Sequence, residues 1–334
     1  MRSIRLFGVL TLLTLVLGSW GFLVHRTTTQ LAIYQLPAPM HAFFFENIDE
    51  LVRTSVRPDQ RRNSDPSEAS KHFIDLEDFG PDAATKLPLG WKELLAQFPE
   101  DSVKKYGYVP YWVPVMKERL TEAMRNGNKD SVLFYAADLA HYIEDAHVPL
   151  HTTNNHDGQR TGQKGMHSLW ESTIPEIELT GYNLYEKHQA QYLKKPAEAI
   201  WGAVRGAHAL LPQLFEAERE TSKSFTDSTK YRVQMRNGRE SRSYSSAFAK
   251  AYARNLGSTI NKQLLASAHM VADFWYTCWV DAGKPKLENL LPAPVPTEKK
   301  AVWLKELQSY QNGTLLQDGL LRARQEKKAE GGGD

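Results

Sequence analysis

Histidines are concentrated in one short stretch of this sequence, since five of the eleven in 334 residues lie between positions 141 and 167. His141 and Asp145 stand four residues apart in a segment of helical periodicity, so their side chains lie on one face of the helix. An imidazole and a carboxylate on one face can hold a metal ion together. The pair His167 and Glu171 repeats this spacing further along the chain.

These donors are imidazoles and carboxylates without a thiolate, a set that suits zinc better than manganese or iron. A single histidine with an acidic residue four positions later is weak evidence for a metal site. About one such pair is expected by chance in this composition, and its side chains would then lie on a solvated helix face. Two pairs close to a further histidine, His151, favour a metal site over that alternative. His151 follows Pro149, where the chain can turn back toward the helix.

Two upstream groups can belong to the same site. His72 opens the run His-Phe-Ile-Asp, and Asp59 precedes it. Taken alone, His72 is either a metal ligand or a histidine of the core. The other group is Trp20 and His25. A chain that begins at Trp20 offers a free amine and a carbonyl oxygen to a metal ion, whereas otherwise this tryptophan only anchors the first helix.

Residues 1–19 have the plan of a secretory signal peptide, in which two arginines precede an apolar run and two small residues follow it. The run, Leu6 to Leu17, is shorter than the roughly 20 residues that a membrane-spanning helix needs. The sequence therefore predicts export to the periplasm or the medium, with cleavage before Trp20 and no transmembrane anchor afterwards. The alternative is a retained anchor, which would bury the Trp20 amine in a peptide bond.

The composition is that of a globular protein, with 41% hydrophobic and 24% charged residues. Without residues 1–19, the 41 basic side chains fall to 39 and equal the 39 acidic ones. That balance argues against a protein that binds polyanions through its net charge.

The single cysteine, Cys278, can form no internal disulfide, and its aromatic neighbours predict a buried thiol.

Apolar residues recur at helical spacing along most of the chain, which predicts an all-α fold in a single multi-helix domain over residues 20–284. The residues from Tyr231 onward alternate in character and lead into Asn237-Gly238, which predicts a small β-hairpin. We interpret residues 222–243 as an exposed insertion. Residues 285–334 are expected to form a proline-rich connector, a short helix near 298–312 and a disordered tail from 325. The main predicted helices cover residues 28–36, 42–56, 110–126, 129–147, 183–218 and 244–281.

The ordered set of candidate ligands resembles the trinuclear-zinc superfamily that contains bacterial phospholipase C and the single-strand-specific nucleases of fungi and plants. The resemblance extends over nearly all of residues 20–284. The matching positions are Trp20 at the mature N-terminus, His25 five residues later, the His-x3-Asp-x5-His core at His141, Asp145 and His151, and the closing pair His167 and Glu171.

The resemblance implies three zinc ions per chain and hydrolysis of a phosphodiester by a hydroxide that forms between the metals and attacks phosphorus. It implies that Asp59 orients or deprotonates the attacking water. Arg62 would offset charge in the transition state, or else it is a solvated surface arginine. The implied ligand sets are Asp59, His72, His141 and Asp145 for one zinc; His151, His167 and Glu171 for the second; and Trp20, His25 and the other oxygen of Asp145 for the third.

Phe73 and Asp75 match residues that stack on a base and bind its edge in the nuclease branch, although Phe73 can equally belong to the core. Glu171 in place of the nuclease aspartate, and the lack of disulfides, favour the phospholipase branch instead. The acidic residue by which phospholipase C holds choline has no counterpart in residues 20–25. The sequence thus favours single-stranded nucleic acid over a phospholipid headgroup as substrate, with no obligate protein partner.

Three further expectations concern the surroundings of the site. Asp138 lies one turn before His141, where it can accept the second N–H of a ligand histidine or simply belong to a polar helix face. His147 and His156 fall outside the family pattern and are expected at the surface. The alternative function is a binding module that zinc stabilises and that has lost catalysis.

Overall fold

The computed structural model of the protein describes residues 21–236 and 239–325. The predicted signal peptide, Trp20, Asn237-Gly238 and all of the predicted tail from 325 except Gln325 itself lie outside these ranges. The described chain is mostly helical with one two-stranded hairpin, which confirms the predicted all-α fold with a hairpin. No helix in these ranges combines the length and the apolar character that crossing a bilayer requires.

The α-helices of the described residues are, in chain order, α1 (Phe22–Ile33), α2 (Ala38–Glu46), α3 (Ile48–Thr54), α4 (Arg57–Arg61), α5 (Ala83–Lys86), α6 (Trp91–Leu95), α7 (Glu100–Tyr106), α8 (Val109–Arg125), α9 (Lys129–Asp145), α10 (Met166–Ser168), α11 (Ile174–Glu178), α12 (Pro196–His208), α13 (Leu211–Ser222), α14 (Asp227–Lys230), α15 (Ser246–Leu256), α16 (Thr259–Asp281) and α17 (Thr297–Gln311). Short 3₁₀ helices cover Ala69–Lys71, Leu76–Phe79, Pro149–Thr152, Leu179–Gly181 and Leu287–Leu290, and a π-helix covers Leu169–Thr173. The antiparallel strands are β1 (Tyr231–Arg236) and β2 (Arg239–Tyr244).

Helix α9 is the centre of the fold. It begins where the Asn128 side chain accepts a hydrogen bond from the Ser131 backbone N–H at 2.9 Å, which caps the first turn. Helices α1, α3, α8 and α16 pack around it, so every residue from Ala136 to Asp145 is buried. The metal-binding candidates His141 and Asp145 therefore lie inside the protein.

The helix predicted for residues 183–218 is wrong in its first part. Residues 183–195 run without helix, and α12 begins only at Pro196, a residue well suited to the first turn of a helix. The Gln191 backbone N–H donates to Asp273 Oδ1 at 2.7 Å, so this segment satisfies backbone groups on α16 instead of internally. The helix predicted for 244–281 divides into α15 and α16 at Gly257, whose φ of +60° ends α15.

Two hydrophobic clusters hold the elements together. The larger one lies among α1, α2, α3, α8, α9 and α16, and it includes Cys278 with no exposed surface, which confirms the predicted buried thiol. Tyr310 and Leu321 belong to this cluster too, so the described part of the chain after residue 284 packs against the helical body. The smaller cluster joins α11, α13 and α15 to the segment that carries His167 and to the end of the hairpin.

Candidate metal centre

Eight of the predicted ligands converge in one cluster. Their separations and burial suit metal binding. Trp20, the ninth, lies outside the described residues. The eight are His25 on α1, Asp59 on α4, His72 after the 3₁₀ helix 69–71, His141 and Asp145 on α9, His151 in the 3₁₀ helix 149–152, His167 on α10 and Glu171 in the π-helix.

The first group has four donor atoms at the separations of a tetrahedral zinc site. Asp145 Oδ2 lies 2.9 Å from His72 Nδ1 and 3.3 Å from His141 Nε2, and the two nitrogens are 3.1 Å apart. Asp59 Oδ1 lies 3.7 Å from His72 Nδ1 and 3.9 Å from His141 Nε2. Zinc bonds in tetrahedral geometry place ligand atoms about 3.3 Å apart. These four donors could therefore hold one metal ion.

The second group lies nearer the surface. His167 Nε2 is 2.7 Å from Glu171 Oε2 and 2.9 Å from His151 Nε2. His151 Nε2 lies 3.6 Å from Glu171 Oε2. The His167 side chain is one-third exposed, which leaves this side of the group open to solvent. Glu171 belongs to a π-helix, a rare turn that occurs often at functional sites.

Asp145 and Glu171 each face two groups of donors. Asp145 Oδ1, the oxygen turned away from the first group, lies 3.8 Å from His25 Nε2. Glu171 Oε1, turned away from the second group, lies 3.7 Å from the same nitrogen. Asp145 thus faces both groups, and the resemblance implies a bridging role for this residue. The shared position of Glu171 was not predicted.

Gly21, the first described residue, lies directly against Glu171. Its φ is +103°, and a Cβ atom at this position would stand 2.8 Å from Glu171 Oε1. Glycine alone accommodates both the backbone conformation and the close approach. The chain therefore enters α1 beside the carboxylate that faces His25.

Oxygen acceptors outside the cluster orient the histidines. His25 Nδ1 contacts Glu144 Oε2, and His141 Nδ1 donates to the Ser55 carbonyl at 2.9 Å. In both residues this leaves Nε2 directed at the cluster, as is usual for histidines that bind metals. Burial raises the pKa of Glu144 to about 7, against the opposing effect of His25. Sequence reasoning missed Glu144, although it directly precedes Asp145.

Glu68 takes the corresponding place beside His72. Its Oε1 lies 3.5 Å from His72 Nε2, and the carboxylate also contacts Lys71, Arg61 and Tyr142. Burial would raise the pKa of Glu68, but the hydrogen bonds from His72, Lys71 and Tyr142 lower it. Glu68 also escaped prediction; its position four residues before His72 was the available signal.

The expectation that Asp138 accepts a hydrogen bond from a ligand histidine is wrong. Asp138 is buried and instead accepts hydrogen bonds from Arg57 at 2.5 Å, and it pairs with Arg61 at 2.7 Å. Both arginines belong to α4, which lies across α9 at this point. Asp138 therefore ties α4 to α9 and so positions Asp59, which α4 carries between these arginines.

Arg61 and Arg62 point in different directions. Arg61 turns inward to Asp138, whereas the Arg62 guanidinium is nearly half exposed and lies 3.4 Å from Asp59 Oδ1. Burial raises the pKa of Asp59, and the Asp145 carboxylate adds to this effect against the opposing His25. The catalytic roles of Asp59 and Arg62 remain predictions.

Phe73 and Asp75 belong to the segment that follows His72, beside the cluster. His72 and Ile74 are buried, whereas Phe73 and Asp75 are half-buried. The Ile74 N–H donates to the His151 carbonyl at 2.9 Å, which fixes the segment next to the second group. Burial raises the pKa of Asp75 to about 7, with further contributions from Asp78 and Glu77.

His147 is not at the surface as predicted. It is buried, its Nδ1 donates to the Ile143 carbonyl at 2.8 Å, and burial lowers its pKa to about 4. The reason is that α16 covers this end of α9, where Gln263 donates to the His147 carbonyl. His156 is exposed, as expected.

The cluster combines strongly opposed charges in a buried place. Burial would raise the pKa of Asp145, but His141 and His151 hold it well below its usual range. Burial would lower the pKa of His151, but the carboxylates of Asp145 and Glu171 raise it to about 10. Metal ions bind neutral imidazoles and ionised carboxylates, so a divalent cation would compete with protons for these donors.

No model of a known protein family matches this chain, and no curated protein matches it. The family resemblance drawn from the sequence therefore remains a prediction.

Proposed function

We propose that the protein is an exported zinc-dependent phosphodiester hydrolase with three zinc ions per chain. The observation that supports it is the convergence of eight imidazole and carboxylate side chains in three donor groups, two of them joined by Asp145. Surrounding oxygens orient His25, His72 and His141 toward the cluster, which a merely polar interior would not require.

The first zinc would be held by Asp59, His72, His141 and Asp145, a complete set of four. The second would be held by His151, His167 and Glu171, and the third by Trp20, His25 and Asp145. Neither of the last two has four protein side chains, which leaves room for water or substrate. The contact of Gly21 with Glu171 supports the third set, because residue 20 is bonded to Gly21. Its amine becomes free only if the signal peptide is removed.

Bound zinc ions would polarise the phosphoryl group and lower the pKa of a water molecule between them. The protein's own residues would supply position and charge. Asp59, partly exposed at the edge of the cluster, would orient the attacking water and accept its proton. Arg62, exposed beside it, would pair with a phosphate oxygen as negative charge develops.

Single-stranded nucleic acid is the substrate that we favour. An unpaired base exposes both its ring face and its hydrogen-bonding edge. Phe73 and Asp75 are both half-buried and stand two residues apart on the segment that follows His72, so one could stack and the other could bind the edge. We expect the purified, zinc-loaded protein to cleave single-stranded DNA or RNA faster than duplex DNA. Absence of hydrolysis of nucleic acids and of phospholipid vesicles alike would refute the proposed function.

Phe73→Ala is expected to raise KM for single-stranded DNA by roughly tenfold, because the variant loses the stacking of one base on an aromatic ring. Hydrolysis of a small diester without a base, bis(p-nitrophenyl) phosphate, should keep its rate. Phe45→Ala is the matched control, because Phe45 is also half-buried but packs on Trp303 of α17. Equal KM values for the two variants would show that Phe73 belongs to the core and not to a base-binding surface.

A phospholipid headgroup is the second candidate substrate. Glu171 in place of the nuclease aspartate favours it. Phosphate-ester release from vesicles, compared with cleavage of oligonucleotides by the same sample, separates the two substrate classes.

A further inference from the structure

One histidine outside the candidate ligands lies directly beside the metal centre. The His156 ring meets the His167 ring edge to face, with 6.5 Å between the two ring centroids. His167 belongs to the second donor group, and its side chain is one-third exposed. His156 is exposed as well, so its imidazole is accessible on the open side of this group.

The loop that carries His156 is fixed on both sides of this residue. The side chain of the buried Asn155 accepts a hydrogen bond from the Arg160 backbone N–H at 2.7 Å. Asp157 Oδ1 accepts another from the Gly165 N–H at 3.1 Å, at the start of α10. A side chain whose backbone is already held beside a site loses less conformational freedom when a substrate binds.

The His156 ring has no hydrogen-bond partner among the described residues. Other histidines outside the candidate ligands do have one: His41 contacts the Leu36 carbonyl, and His188 Nε2 lies 2.8 Å from Asp273 Oδ1. An imidazole carries at least one N–H in either protonation state. That donor is therefore available to a molecule that enters the open side of the second group.

The surroundings of this imidazole favour an anion. Burial lowers the pKa of His156, and His167, His151 and Arg62 lower it further, against the opposing effect of Asp157. Groups that can carry positive charge thus lie within electrostatic range of the ring. The exposed Arg62 guanidinium and an imidazole N–H, next to a metal site, match the charged oxygens of a phosphate group.

We propose that His156 donates a hydrogen bond to the phosphate group of the substrate, together with Arg62. The inference rests on the proposed function, because it names a further residue that contacts the same phosphodiester. His156 belongs to the loop before α10, whereas Arg62 directly follows α4, so the two donors reach the site from different elements. Such a hydrogen bond strengthens as negative charge develops on the phosphate oxygens.

Binding of inorganic phosphate to the zinc-loaded protein, measured by isothermal titration calorimetry, tests this contact without hydrolysis. His156→Phe keeps an aromatic ring beside His167 but has no N–H, so its Kd for phosphate should rise about tenfold. His156→Gln keeps an N–H donor and should stay within about threefold of the unchanged protein. The kcat/KM for bis(p-nitrophenyl) phosphate should follow the same order, and the zinc content should be equal in all samples.

His41→Phe is the matched control, because it removes an imidazole that lies on α2 and packs on Trp303 of α17. It should bind phosphate as the unchanged protein does. An unchanged Kd in His156→Phe would overturn the inference. Equal weakening in His156→Gln would do the same, as would loss of zinc from His156→Phe, which would assign this residue to the metal centre.

The proposed hydrolysis fails separately from this inference. A protein that binds phosphate through His156 but cleaves neither nucleic acids nor phospholipids would refute the hydrolysis and keep the phosphate contact. Hydrolysis that is unaffected in His156→Phe would keep the proposed function and remove His156 from it.

Discussion

Asp145→Asn is expected to retain only one of three zinc ions and to lower kcat/KM by about a thousandfold or more. The carboxylate lies 2.9 Å from His72 Nδ1 through one oxygen and 3.8 Å from His25 Nε2 through the other. Asparagine keeps the shape but replaces one oxygen with an NH₂ group, which cannot bind a metal ion. Metal analysis of the purified variant and kinetics on single-stranded DNA measure the two effects.

The matched control is Asp130→Asn, which removes an exposed carboxylate from the first turn of the same helix, α9. It should keep three zinc ions and full activity. Three zinc ions in Asp145→Asn would refute the bridging position of this residue. Loss of zinc with activity retained would refute its part in hydrolysis.

Removal of the metal ions by a chelator is expected to abolish hydrolysis and to lower Tm by roughly 10 °C. The physical reason is that the cluster buries several carboxylates, whose charges the zinc ions offset in the folded chain only. Calorimetry before and after treatment measures the shift. Addition of zinc should restore both Tm and activity, and addition of magnesium should restore neither.

The same experiment separates the enzyme from a binding module that zinc stabilises. A module would lose thermal stability in the chelator but would hydrolyse no phosphodiester before treatment. An unchanged Tm together with an absence of bound metal would refute the metal centre itself. N-terminal sequencing of the zinc-loaded sample adds a separate test, because the third ligand set requires a chain that begins at Trp20.

Local spacing was enough to predict much of the fold and the candidate ligands. Helix periodicity predicts α9, and a separation of four residues places His141 and Asp145 on one face of it. The alternation before Asn237-Gly238 specifies the hairpin in the same way. These features depend on neighbouring residues and on backbone geometry, so they can be read along the chain.

Other features depend on how distant elements pack. Spacing cannot tell whether Arg61 or Arg62 turns inward, because the answer depends on where α4 crosses α9 and meets Asp138. Likewise, Glu144 meets His25 only because α1 lies beside α9. The two oxygens of Glu171 face separate donor groups because a π-helix and the start of α1 meet there. Contacts between residues far apart in the chain are set by packing of the core, which no local pattern encodes.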